Sequence, residues 1–351
     1  MTIKIYRLIY LTLGILLLVE VGLEIRAQHK GWNTILGGLL NIKPAAEQGN
    51  KGQTQFGPTQ NFPFRSLIVP FEKNPGTSRL WIASSSYAQD NYLEASRIFP
   101  NLLGEKLNQS GFRVQILNAA QEGQTIEANI KVLKETGVQW KPDYVLLYQM
   151  NLDISDLSKQ FCSDSSSTSN IKHGAHDKTP PIKPKVNWGE KFIEKTTVYA
   201  LLKENVTARL SQSRILAQDL GKDANNAFRQ RIYNFINLSR SMGAAPILCT
   251  FSTSHDLHHQ KEIPAGVKNF MLRYNIYLSP SGWFKTIDQF NDDIRQIGQE
   301  QNVLVIDLNH YLSGKPGFFR DFVHFTPEGH QMMAQVIAEK ILENRLKPHE
   351  F

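Results

Sequence analysis

Four polar residues in this sequence of 351 residues have types and spacings suited to acyl chemistry. Ser86 closes a run of three serines after the apolar segment Arg79–Ala83. Asn151 comes just after a second apolar segment, Asp143–Tyr148. Asp321 and His324 stand three residues apart in Asp321-Phe322-Val323-His324, ahead of Phe325-Thr326-Pro327-Glu328-Gly329-His330. A serine hydroxyl is a weak nucleophile until a neighbouring base takes its proton. Imidazole titrates near neutrality and suits that task. A carboxylate on the other ring nitrogen fixes the tautomer, and the D-x-x-H spacing lets one tight loop deliver both groups. The tetrahedral oxyanion then needs donors. The backbone N–H of Ser86, the N–H of Ala120 and the side-chain amide of Asn151 are the candidates. Each residue also has a plainer reading. Ser86 can cap a turn, with Ser84 and Ser85 as alternative nucleophiles. Asn151 and Asp321 can bond their own backbone in turns, and His324 can lie on the surface.

These residues need a frame that brings distant segments to one edge. Five short apolar runs supply it: Arg79–Ala83, Arg113–Leu117, Asp143–Tyr148, Pro246–Phe251 and Val303–Ile306. Such runs read as strands buried on both faces. Helical patterns fall between and after them, near Phe99–Gln109, Thr125–Glu135, Asp223–Ser241, Thr286–Gln301 and Pro327–Asn344. Thr326 caps the last of these and Pro327 takes its first position. Alternation of this kind predicts an α/β fold with a doubly wound, mostly parallel five-stranded sheet. Ligands bind such sheets at the carboxyl ends of the strands. Ser86, Ala120, Asn151, Asp321 and His324 all follow strands there.

The constellation resembles the SGNH/GDSL hydrolase family over about Arg79 to Leu346, apart from much of an insertion described below. The strongest piece is Asp321-Phe322-Val323-His324 with the residues to His330, which reads like the family's terminal block and last helix. The family's Gly-Asp-Ser falls on Ser84-Ser85-Ser86. Its second block falls on Asn118-Ala119-Ala120, with Ala120 at the place of the oxyanion-hole glycine. Its Gly-x-Asn-Asp becomes Gln149-Met150-Asn151-Leu152. The resemblance implies a flavodoxin-like SGNH hydrolase fold and ester hydrolysis through an acyl-serine. Ser86 is then the nucleophile, His324 the base and Asp321 the orienting carboxylate. Ser86, Ala120 and Asn151 form the oxyanion hole, and no metal or cofactor is required. The family's substrates are lipids, acylated sugars and small esters. Alanine keeps the N–H that glycine offers, and it fails only where the turn demands positive φ. Two rivals stand beside hydrolysis. One is an O-acyltransferase that passes the acyl group to an envelope polysaccharide. The other is a silent domain that binds a glycan or scaffolds an assembly.

Composition narrows the rest. Lys and Arg total 39 against 32 Asp and Glu, giving a net charge of +7 without a basic block interleaved with aromatics. No nucleic-acid partner is expected. Two cysteines, Cys162 and Cys249, make neither a disulfide framework nor a cysteine zinc site. His255, His258 and His259, with His173 and His176, read as polar loop residues rather than metal ligands. Asp153, Asp156 and Asp307 read as solvated or structural. The aromatic stretch Phe270–Phe284 reads as core, or else as a wall of the cleft. Leu8–Val19 carries no charge and follows Lys4 and Arg7, so residues 1–30 are expected to form a membrane anchor with the body outside the cytoplasm. Residues 31–66 read as a linker and 67–351 as the hydrolase-like domain. That domain carries an insertion at about 155–220, whose first part, Ser158–Asn187, reads as a mobile loop.

Overall fold

The five apolar runs pair side by side in one sheet of order β2-β1-β3-β4-β5, with every pairing parallel. The strands are β1 (Ser78–Ala83), β2 (Val114–Asn118), β3 (Tyr144–Leu147), β4 (Ala245–Cys249) and β5 (Leu304–Ile306). The structure is a computed structural model that describes residues 2–29, 65–66, 69–162, 216–259, 262–274 and 277–344. All of β1 and β3 is buried, as an apolar run without alternation requires.

Full burial needs cover on both faces, and two groups of helices supply it. Helix α3 (Phe99–Gln109) packs against the last helix, α10 (Pro327–Glu343). Helix α6 (Gly221–Ser241) gathers α4 (Ile126–Val132), α5 (Asn151–Cys162) and α8 (Pro280–Gln301). Phe228 of α6 stacks on Phe290 of α8 with ring centroids 3.8 Å apart. The remaining helices are α1 (Thr2–His29), a single turn α2 (Ser86–Gln89), α7 (Ala265–Tyr274) and α9 (Leu308–Leu312). The strand order reverses direction on either side of β1. The crevice therefore opens beyond the carboxyl ends of β1 and β3, where Ser86 and Asn151 lie.

Several expected bounds move for local reasons. Helix α8 begins at Pro280 rather than Thr286, because the Ser279 hydroxyl accepts from the Gly282 N–H and Pro280 suits the first turn. Helix α4 gives way at Leu133–Gly137 to a wider turn before Val138–Trp140. Helix α5 holds Ser158–Cys162 in regular structure, so the insertion starts later than its serine content suggests. The rest of the insertion up to residue 215, the linker up to residue 64, and His173 and His176 fall outside the described residues.

The chain divides into two units. Unit 1 is Met1–Gly49 with Asp164–Ile215, of which only α1 is described. Unit 2 is Asn50–Ser163 with Leu216–Phe351 and contains the sheet. Among the described residues no helix is long and apolar enough to cross a membrane. Lys4, Arg7, Glu20, Glu24 and Arg26 interrupt α1.

The aromatic stretch packs as core. Trp283 and Phe284 are buried, and their rings meet Phe322 edge-on at 5.7 and 5.6 Å. Phe270 reaches the same ring at 6.1 Å. Phe322 lies inside the D-x-x-H loop, so this cluster fixes the loop from below. Phe322→Ala should cost about 3–5 kcal/mol, as large-to-small changes in buried aromatics do. Urea unfolding of the variant against the parent chain measures it, and a change under about 1 kcal/mol would contradict the assigned packing.

Candidate active site

Ser86 heads the turn α2, directly after β1 and its two following serines. As the first residue of a helical turn, its N–H has no intrahelical acceptor. Ser84 turns away and donates to the Tyr148 carbonyl at 2.6 Å. Ser85 is buried with its hydroxyl unpartnered. Of the three serines, Ser86 alone meets a histidine: its Oγ lies 2.9 Å from His324 Nε2. His324 Nδ1 lies 2.8 Å from Asp321 Oδ2. The other Asp321 oxygen accepts the N–H groups of Val323 at 2.9 Å and His324 at 2.8 Å. The backbone of the four-residue loop thus folds around its own carboxylate, and this is how the D-x-x-H spacing works.

The proton inventory follows from these contacts. A carboxylate facing Nδ1 places the ring proton there and leaves Nε2 as an acceptor for the Ser86 hydroxyl. Burial alone would raise the Asp321 carboxyl. The hydrogen bond and charge of the His324 ring, with the two N–H groups, outweigh burial and hold it below the ordinary carboxylate value. A lowered carboxyl adds stability that is complete above about pH 4 and is lost as pH falls through the folded value. The thermal midpoint of the parent chain should therefore exceed that of Asp321→Asn at pH 7. The gap should close as the solution is acidified below about pH 4. A gap that stays constant down to pH 2 would contradict this reading.

The turn that carries Ser86 is held from two sides. Asn118, the last residue of β2, donates from Nδ2 to the Ala88 carbonyl at 2.8 Å. Asp90, at the end of α2, lies 3.0 Å from His330 Nε2 with both side chains fully buried. His330 Nδ1 accepts the Phe99 N–H at 3.1 Å, so its proton sits on Nε2 and is donated to Asp90. Burial raises the Asp90 carboxyl, but His330, Arg320 and the Tyr92 N–H together bring it below its ordinary value. This second histidine–aspartate pair ties the Ser86 turn to α10, just past the loop that delivers His324. Sequence reading passed over it, although His330 lies six residues beyond His324.

The three oxyanion candidates separate. Ser86 N–H is open by helix geometry. Ala120 does not take positive φ, so alanine fits the turn. Its N–H, however, is directed at Asn118 Oδ1 at 3.3 Å. That contact is long and weak, and Ala120 N–H stays an oxyanion candidate beside Ser86 and Asn151. Asn151 is buried as the first residue of α5. Its neighbour Asp153 is not solvated, contrary to expectation. It is fully buried and accepts from the Ile126 N–H, from Gln149 and from Arg231 at 2.7 Å. Burial pushes its carboxyl up to about 6 in spite of these donors. The network locks the start of α5, and therefore Asn151, to α4 and α6.

The other histidines do not gather. His258 pairs with Asp288 at 3.1 Å, His259 with Asp256 at 2.7 Å, and His255 with the Ser254 hydroxyl at 2.9 Å. Among the described residues no group of three or more acidic, histidine or cysteine side chains could hold a metal ion. Asp307 caps α9 and pairs with Arg295 and Thr250. Cys162 and Cys249 are buried and form no disulfide.

No family model matches the sequence, and no curated protein does. Solved structures do match. The lipase/acylhydrolase from Enterococcus faecalis aligns at 18% identity and a TM-score of 0.43, covering 78% of this chain and 100% of its own. The acetylxylan esterase Axe2 from Geobacillus stearothermophilus aligns at 14% and 0.45, covering 76% and 95%. A GDSL-like lipase from Bacteroides thetaiotaomicron aligns at 13% and 0.40, covering 76% and 89%. The chain is similar to lipases and esterases. At these identities and scores its chemistry is read from its own side chains.

Proposed function

We propose that this chain is a serine ester hydrolase of the SGNH type, working through an acyl-serine. The observation that carries the reading is the unbroken path from Ser86 Oγ through the His324 ring to Asp321, at 2.9 and 2.8 Å. In this reading His324 Nε2 takes the Ser86 proton as Oγ attacks the ester carbonyl. The imidazolium that forms is stabilised by Asp321 at Nδ1. The tetrahedral oxyanion is met by the Ser86 N–H and the Asn151 amide. Collapse expels the alcohol, which collects the proton from Nε2. Water then repeats the sequence on the acyl-serine, with His324 again as base, and releases the acid. An acylated glycan or a lipid ester is the proposed substrate class.

Hydrolysis of p-nitrophenyl acetate by the full chain tests the reading, with Ser86→Ala beside it. Turnover that survives unchanged in the variant would sink it. Asn151→Ala should lower kcat by about two to three orders of magnitude while KM changes little, the signature of a donor that acts on the transition state. An equal rise in KM with kcat intact would instead make Asn151 a ground-state contact.

A further inference from the structure

The turn that carries Ser86 ends on Asp90, whose φ is +26°. Glycine enters that region freely, and other residues do so at a cost. The backbone N–H of Asp90 closes the turn on the Ser86 carbonyl at 2.9 Å. Its carboxylate is fully buried. A strained backbone and a buried charge persist together only where the surroundings fix them.

The donors that fix them come from the segment that holds the proposed base. His330 Nε2 meets one Asp90 oxygen at 3.0 Å, and Arg320 Nη1 lies 3.4 Å from both oxygens. The Arg320 guanidinium lies over the Tyr92 ring, 4.4 Å from its centroid. The Tyr92 N–H donates to Asp90 Oδ1 at 3.1 Å. The backbone N–H of Arg320 donates to the His324 carbonyl at 2.7 Å. Asp321 and His324 both lie between Arg320 and His330. One carboxylate at the end of the Ser86 turn therefore holds both ends of their segment.

We propose that Asp90 is a positioning residue of the esterase: by holding Arg320 and His330 together, it sets the distance between Ser86 Oγ and His324 Nε2. The assignment rests on the serine-hydrolase reading. Asp90 acts through the two segments it joins, and Arg320 is one arm of that action. A shift of about 1 Å between reacting groups costs about a hundredfold in rate. Removing the Arg320 arm should therefore cost catalysis only while the Asp90 carboxylate is present.

The test is a double-mutant cycle on the full chain, using Asp90→Asn, Arg320→Gln and the pair. Asparagine keeps the side-chain shape and tolerates positive φ, and its oxygen can still accept the Tyr92 N–H. Its NH2 group then faces the donors of His330 and Arg320, so the turn is kept and the grip is lost. Turnover of p-nitrophenyl acetate is read beside the time course of fluorophosphonate labelling at Ser86. Asp90→Asn should lower kcat about a hundredfold and Arg320→Gln about tenfold, with KM within about twofold. The pair should be no slower than Asp90→Asn alone. Labelling should slow by similar factors and still reach the parent's adduct per chain. A merely structural role would instead leave fewer reactive chains, each labelled at the parent's rate. Where Asp90→Asn does not fold, Arg320→Gln decides alone, because its side chain lies at the partly exposed end of the pair. Losses that multiply in the pair, labelling at the parent's rate to a lower endpoint, or Arg320→Gln kinetics equal to the parent's overturn the assignment, while Ser86-dependent turnover leaves the esterase reading intact. Absence of any Ser86-dependent turnover in the parent chain overturns both.

Discussion

Ser86→Ala is expected to lower kcat/KM for ester hydrolysis by about four to six orders of magnitude, with the fold unchanged. The range follows from other serine hydrolases, where losing the nucleophile removes almost all catalysis above the background of binding and oxyanion stabilisation. The geometry argues for a loss of this size here. Ser84 Oγ is committed to the Tyr148 carbonyl, and Ser85 faces no base in the described contacts. No neighbouring serine stands ready to substitute. His324→Ala should be equally severe, and the two losses should not multiply, because nucleophile and base act as one unit. Initial rates over a range of enzyme concentrations measure both. A Ser86→Ala chain within tenfold of the parent would assign the chemistry elsewhere.

The second large effect is expected at Asp321. Asp321→Asn should lower kcat by about four orders of magnitude, the size seen where the equivalent change reverses a triad histidine. The carboxamide keeps one oxygen, which can still accept the Val323 and His324 N–H groups, so the loop is expected to hold its shape. Its NH2 group then faces His324 Nδ1 and can only donate to it. The ring proton moves to Nε2, where it can no longer take the Ser86 proton. Activity should therefore fall far more than stability does. Kinetics and thermal unfolding run on the same sample separate the two. A large stability loss matched by a small kinetic one would reduce Asp321 to a turn former.

Most of the frame was legible in the sequence because buried parallel strands leave apolar runs with sharp polar ends. Arg79–Ala83 and Val303–Ile306 fall within one residue of β1 and β5. The D-x-x-H contact was legible because Asp321, His324 and their backbone partners lie within four residues. What stayed hidden depends on contacts between segments far apart in the chain. Asp153 reads as solvated in Asn151-Leu152-Asp153, and only Arg231, seventy-eight residues on, shows it to be buried and paired. His330 reads as a helix residue until Asp90 meets it. The contact of the Ala120 N–H with Asn118 Oδ1 depends on the local turn, which residue types alone do not specify.

The central claim is that Ser86 is an activated nucleophile driven by His324. The most direct measurement is reaction of the full chain with a fluorophosphonate, followed by mass spectrometry of its peptides. The account predicts a single adduct on Ser86 in the parent chain, approaching one per molecule. It predicts no adduct at that position in folded His324→Ala. A folded parent chain that stays unlabelled at Ser86, or a His324→Ala chain that labels as fast as the parent, would contradict it.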